Sequence, residues 1–154
     1  MNKYFTKENY AFLLGFIGVL IFALTLPITR HLTQSEFTSL EIGFGRGYVT
    51  TCAANAIYGK GINGEVTTVD PYFDQQKIDN FSSILDPAIT SMIQINTVAQ
   101  TSDDYFDSIH PKAKFDFIFI DGDHRYNSVK NDYENAAKHI DRGYILMDDY
   151  HMPS

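Results

Sequence analysis

Four sets of residues in this chain have the types and spacing that chemistry needs. The stretch SLEIGFGRGYVT, residues 39–50, places Glu41 two positions before Gly43, with further glycines at Gly45 and Gly47. Asp70 closes the run VTTVD, Asp121, Asp123 and His124 stand in FIFIDGDHRY, and Asp148 and Asp149 stand in ILMDDYHMP. Glycines between a strand and a helix let a ligand touch the backbone. A dinucleotide fingerprint needs G-x-G-x-x-G, with a pyrophosphate at the helix N-terminus. Here the third glycine falls one place early and Tyr48 holds the position that fingerprint requires. Glu41 would repel a pyrophosphate and suits a cationic ligand. An acid ending the second strand can accept hydrogen bonds from both ribose hydroxyls. The set fits a cationic nucleoside better than a dinucleotide, which argues against an NAD-linked oxidoreductase.

These residues need elements to hold them at one place. The apolar patterning predicts a strand over 38–42 and a helix over 47–58 with Val49, Ala53, Ala56 and Ile57 inward. A glycine-rich turn over 58–65 leads to a second strand over 66–69. A helix over 74–85 carries Ile78, Phe81, Ile84 and Leu85 at helical spacing, and Asp86-Pro87 breaks it or starts another turn. A third strand follows over 92–95, a short helix over 102–109 and a continuously apolar fourth strand over 115–120. Tyr126, Val129, Tyr133, Ala137 and Ile140 mark the stripe of a helix that Gly143 terminates, before a fifth strand over 144–147. Strand–helix alternation implies an α/β fold, a parallel sheet with helices on both faces. Ligands bind such sheets at the carboxyl ends of the strands. The four sets of polar residues fall at the ends of the first, second, fourth and fifth strands.

The whole chain sets bounds on the partner. Its 154 residues suffice for one domain with a real core, and 44% hydrophobic with 20% charged residues reads as globular. A net charge of -7 with no basic patch argues against nucleic acid. The single cysteine, Cys52, excludes an internal disulfide and reads as a small core residue. Residues 11–28 carry no charge at all. A run of that length predicts a membrane-spanning helix, since about 20 helical residues cross the hydrocarbon layer. A cleavable signal peptide fits less well, because no A-x-A site follows. The competing reading is a helix packed on the domain. The expected organisation is therefore an apolar N-terminal helix within residues 1–30 and a binding domain over residues 37–154. The domain is expected on the cytoplasmic side of a membrane or, under the competing reading, as a soluble cytoplasmic protein.

At this point the residues resemble a family. E-I-G-F-G-R-G is similar to motif I of class I S-adenosylmethionine-dependent methyltransferases, and VTTVDPY to their second motif. The resemblance implies a Rossmann-like sheet of order 3-2-1-4-5. It implies that Gly43, Gly45 and Gly47 floor the S-adenosylmethionine site, that Glu41 lies near the amino-acid moiety, and that Asp70 holds the ribose. Ser102, in AQTSDD, would sit beside the adenine. In that strand order the fourth and fifth strands are neighbours, so their terminal acids converge. Carboxylates that close repel, and a divalent cation relieves them. D-G-D-H-x-Y followed by a helix and G-Y-I-L-M-D-D-Y resembles the metal-dependent O-methyltransferases. The macrocin-type sugar enzymes and methyltransferase family 24 are nearest in kind. That likeness implies Asp121, Asp148 and Asp149 as ligands of Mg²⁺ or another divalent cation, with Asp121 also at the cofactor. The acceptor would be a hydroxyl of a small molecule or sugar. His124, whose side-chain type titrates near neutrality, is the first candidate base and Asp123 the second.

Plainer roles compete at several of these positions. Asp123 can cap the following helix, His124 can be an exposed first-turn residue, and adjacent acids such as Asp148 and Asp149 point to opposite sides. The resemblance spans about residues 37–150. Related enzymes carry a further helix and an antiparallel strand pair after the fifth strand, and a cap helix before the first. The expectation is therefore an intact cofactor half and a short acceptor half. A second copy or another protein would then cover the edge of the fifth strand. A chain that binds S-adenosylmethionine without turnover is the alternative.

Overall fold

The computed structural model of the chain describes residues 36–148. Five strands alternate with helices. They are β1 (Glu36–Ile42), α1 (Tyr48–Gly59), β2 (Asn63–Val69), α2 (Gln75–Ile84), α3 (Pro87–Thr90) and β3 (Ile93–Val98). Then come α4 (Ser102–Ser108), β4 (Phe115–Ile120), α5 (Tyr126–Lys138) and β5 (Ile140–Met147). All pairings are parallel and the order is β3-β2-β1-β4-β5. The expected α/β fold and strand order are present.

Period-2 alternation along β1 divides the core in two. Phe37 joins Ala53, Ala54 and Ile57 of α1, Val66, and Ile89 and Ile93. Leu40 and Ile42 join Val69, Tyr105 and Phe106 of α4, Ile118, Ile120 and Ala136 of α5. The sheet thus carries α1 and α3 on one face and α4 and α5 on the other.

What positions the site is the register. Ile42 pairs with both Val69 and Ile120, Val69 pairs with Val98, and Ile120 pairs with Met147. The five strands therefore end level. The ladder runs one residue further: the Gly43 amide donates to Val69 O at 2.9 Å and the Asp121 amide to Ile42 O at 2.8 Å. The Asp70 and Asp148 amides donate to Val98 O and Ile120 O in the same way, at 3.1 and 3.0 Å. Each residue that follows a strand is thereby fixed at one edge of the sheet.

Some expected boundaries move. β1 and β2 begin earlier than their apolar cores, at Glu36 and Asn63, because pairing to a neighbour extends a strand past its hydrophobic run. β3 runs over Ile93–Val98, and α5 stops at Lys138 with His139 as its C-cap. Gly143 lies inside β5 instead of ending the helix. An added Cβ there would lie 2.4 Å from Asp116 O, at a register shift between β4 and β5. Close backbone approach at this bulge is what the position requires. The buried side of α5 is Asp132 and Ala136, followed by His139. Tyr126 is 70% exposed and Tyr133 45% exposed, so the expected stripe is out of phase.

The expectation of a membrane-spanning helix is corrected. Among the described residues no helix is long and apolar enough to cross a membrane. Residues 11–28, on which that expectation fell, lie outside the described residues.

Candidate functional site

A cavity of about 830 Å³ opens at the level strand ends. Gly43 and Gly45 from the β1–α1 loop, Asp70, Pro71 and Tyr72 after β2, and Ser102 of α4 line one part of it. Asp121 to Arg125 after β4, and Ser128, Asn131 and Asp132 of α5, line the rest.

The glycine loop is left-handed at Gly43 (φ 89°), Gly45 (φ 53°) and Gly47 (φ 76°). Three purposes separate them. A Cβ at Gly43 would lie 2.1 Å from Asp121 O, so the bare backbone is what lets β4 and the loop meet. A Cβ at Gly45 would meet nothing within 4 Å, so this residue faces open cavity. Gly47 does not line the cavity. A Cβ there would strike the rings of Phe44 and Phe81 at 2.6–2.8 Å. Gly47 thus serves packing and the start of α1.

Asp70 ties the loop to β2. Its Oδ1 accepts the Tyr72 amide at 2.8 Å, and its Oδ2 accepts the Phe44 amide at 3.2 Å and Lys77 Nζ at 3.4 Å. The Lys77 ammonium also lies 5.5 Å from the Phe44 ring centroid and 5.4 Å from that of Phe73. A fixed, buried acid with a carboxylate edge on the cavity can receive hydroxyl donors.

Glu41 is placed differently from its expected position. It is buried beneath the loop, accepts a hydrogen bond from the Thr50 hydroxyl, and does not line the cavity. Burial pushes its carboxyl up to about 8, with the Thr50 bond opposing and the charges of Asp121 and Asp70 adding to the rise.

At the far wall, the Ser102 hydroxyl donates to Asp132 Oδ1. Sequence reasoning does not single out Asp132; a lone acid in a helix reads as solvated, and only its partner 30 residues away marks it. Burial raises its carboxyl, and the neighbouring charges of Asp103 and Asp123 add to the rise.

The acids after β4 separate into two roles. Asp121 lines the cavity. Asp123 is exposed and engaged: it accepts the Arg125 amide at 3.2 Å, Arg125 Nε at 2.6 Å and Ser128 Oγ at 2.9 Å. The Arg125 guanidinium and Ser128 hold its carboxyl far below the usual range. So stable an anion is a weak proton acceptor, and it secures the first turn of α5. His124 is exposed at the cavity wall. Asp148 follows Met147 on the strand beside Asp121. Asp149 lies outside the described residues. Among the described residues no three of His, Cys, Asp and Glu are grouped to hold a metal ion. Of the expected ligands among the described residues, Asp121 and Asp148 stand at adjacent strand ends.

Comparison with known proteins agrees with this geometry. A family described as "Methyltransferase domain" matches residues 40–150. A solved putative caffeoyl-CoA O-methyltransferase from Staphylococcus aureus is 18% identical, with a TM-score of 0.58. The match covers 86% of this chain and 56% of that one. MNMC2 from Aquifex aeolicus is 12% identical with a TM-score of 0.56, over 74% of this chain and 43% of that one. An uncharacterized protein of Acanthamoeba polyphaga mimivirus is 50% identical over 36 residues, 23% of this chain and 16% of that protein. The chain thus spans about half the length of these solved structures, whose likeness is one of fold.

Proposed function

The chain belongs to the family of methyltransferase domains, and from that premise we propose that it methylates a hydroxyl oxygen of a small molecule or sugar. The methyl donor is S-adenosylmethionine. The observation that carries this reading is the level register, which gathers the glycine loop, Asp70, Ser102 and Asp121 around one cavity. Its volume lies within the roughly 300–1,000 Å³ typical of small-ligand sites. The open space at Gly45 admits a ligand against the backbone, and Asp70 is held for a ribose. The carboxylates suit a sulfonium cation.

S-adenosylmethionine supplies a methyl group on a positively charged sulfur. The acceptor oxygen forms a bond to that carbon as the carbon–sulfur bond breaks, and the sulfonium becomes a neutral thioether. His124 takes the hydroxyl proton. Asp123, already bound to Arg125 and Ser128, steadies the turn that presents His124. The chain's remaining contribution is to align acceptor and methyl, the largest factor such a transfer needs. Mg²⁺ assistance belongs to the same proposal. Asp121 and Asp148, on neighbouring strands, would offer hard oxygen ligands, with Asp149 as the third, and a bound cation would lower the pKa of the acceptor hydroxyl.

Calorimetry and radiolabelled methyl transfer test the reading. S-adenosylhomocysteine should bind, and Asp70→Ala should weaken it by about tenfold or more, as expected for a lost charged hydrogen bond. Asp148→Ala should leave that affinity in place and remove stimulation of methyl transfer by Mg²⁺. Binding of NADH without S-adenosylhomocysteine would defeat the proposal. Cofactor binding with no transfer to any hydroxyl in a sugar and phenol panel would leave a binding protein instead.

A further inference from the structure

Asp132 plays no part in the reaction above, yet the fold buries it at the cavity wall. It is 4% exposed, on the side of α5 that packs against α4. A carboxylate in that place is costly unless its oxygens are bonded. One oxygen receives the Ser102 hydroxyl, and the other lies toward Gly122, where an added Cβ would be 3.8 Å away. The charges that act on it, Asp103 and Asp123, are acidic and offer no relief. Asn131 and Asn135 of α5 both donate to Asp103 of α4, the latter at 3.5 Å, which fastens the two helices on either side of the pair.

The direction of the bond matters. A serine hydroxyl has one proton and two acceptor lone pairs. Here the proton is committed to Asp132, so Ser102 meets a ligand in the cavity as an acceptor. An N–H is welcome at that point and a carbonyl is not. We infer that Asp132 is a positioning residue that fixes Ser102 as an acceptor, so the site selects a cofactor base bearing an amine over one bearing a carbonyl. Adenine has the amine and hypoxanthine the carbonyl. The inference rests on the reading of this cavity as the S-adenosylmethionine site. Sites built around a fixed polar partner discriminate strongly, because the wrong ligand leaves that partner unpaired.

The test is calorimetric titration of the full chain with S-adenosylhomocysteine and with S-inosylhomocysteine. The wild-type chain should prefer the adenosyl ligand by about tenfold or more, the scale of one hydrogen bond and one unpaired group. Asp132→Ala frees the Ser102 proton to serve either ligand, and the two affinities should converge. Ser102→Ala should abolish the preference as well. Asp132→Asn, whose amide oxygen still accepts from Ser102, should retain it. A merely structural role for Asp132 would weaken both ligands alike, and an unmoved ratio in Asp132→Ala overturns the inference. If Asp132→Ala fails to fold, Ser102→Ala, on a partly buried side chain, decides in its place: there too, an unmoved ratio overturns the inference. A wild-type chain that binds neither ligand overturns the reading of the site, and the inference with it. One that binds both ligands equally overturns the inference alone.

Discussion

Glu41 and Asp123 show how one residue type is driven in opposite directions by its surroundings. Glu41 is buried with Thr50 as its donor, and its carboxyl is pushed up to about 8 from an ordinary 4.5. The folded chain therefore keeps a proton that the unfolded chain releases between those values. By linkage, stability falls as pH rises through that window and the loss is complete above it. Glutamine carries no such proton, and its amide oxygen still accepts from Thr50. Glu41→Gln should thus match the wild type near pH 4.5 and exceed it at pH 9 by about 4 to 5 kcal/mol, read from urea midpoints. Parallel pH profiles for the two proteins would show that Glu41 is ionised in the fold. Asp123 follows the opposite sign. Its carboxyl is held below its ordinary 3.8 by Arg125 and Ser128. The stability it lends the start of α5 is present above that value and disappears as pH falls below it.

Among the elements, the β1–α1 loop separates structural from ligand-facing glycines. Gly43→Ala drives a Cβ into Asp121 O, which is backbone and has nowhere to go. Overpacking together with a left-handed alanine should cost about 3 kcal/mol and loosen the β1–β4 junction. Gly45→Ala meets no atom and costs only the left-handed conformation, about 1 kcal/mol. Its Cβ projects into the cavity, so it should keep most of its melting temperature while losing cofactor affinity. Equal thermal losses in both variants would contradict that division. Elements of this kind are legible where one signal dominates. FDFIFI is apolar at nearly every position and is β4 over Phe115–Ile120, as expected. Acids placed just after apolar runs mark the site, because parallel register levels the strand ends. The phase of α5 is not legible. Its tyrosines outweigh Asp132 and His139 on any hydrophobic count, yet the latter two are buried because each has a partner. Ser102 serves Asp132, and His139 Nδ1 lies 2.9 Å from Ala113 O while its ring stacks on Phe106. Those partners come from α4 and the α4–β4 loop, at sequence distances that local pattern does not reach. Gly143 likewise signals a helix end, where the bulge opposite Asp116 is what requires it.

For the whole molecule the consequential quantity is charge. The chain carries -7 overall, and Asp70, Asp103, Asp121, Asp123 and Asp132 all line one cavity. Lys77 answers Asp70 and Arg125 answers Asp123. The carboxylates outnumber these two cations, so the cavity keeps a negative potential, and low-dielectric walls concentrate it. The donor S-adenosylmethionine bears a sulfonium charge that the product S-adenosylhomocysteine lacks. Under the proposed transfer, such a field favours the donor over the neutral product in competition for the cavity. Fields from partly exposed carboxylates are screened: the Debye length falls from about 10 Å at 0.1 M salt to about 3 Å at 1 M. Raising NaCl over that range should weaken S-adenosylmethionine binding several-fold and change S-adenosylhomocysteine binding little, so the ratio of the two affinities narrows. Asp121→Asn should reduce the ratio at low salt and flatten its salt dependence. Identical salt slopes for the two ligands would mean that preference for the charged donor comes from short contacts at the sulfur, with the distributed charge of the cavity playing no part.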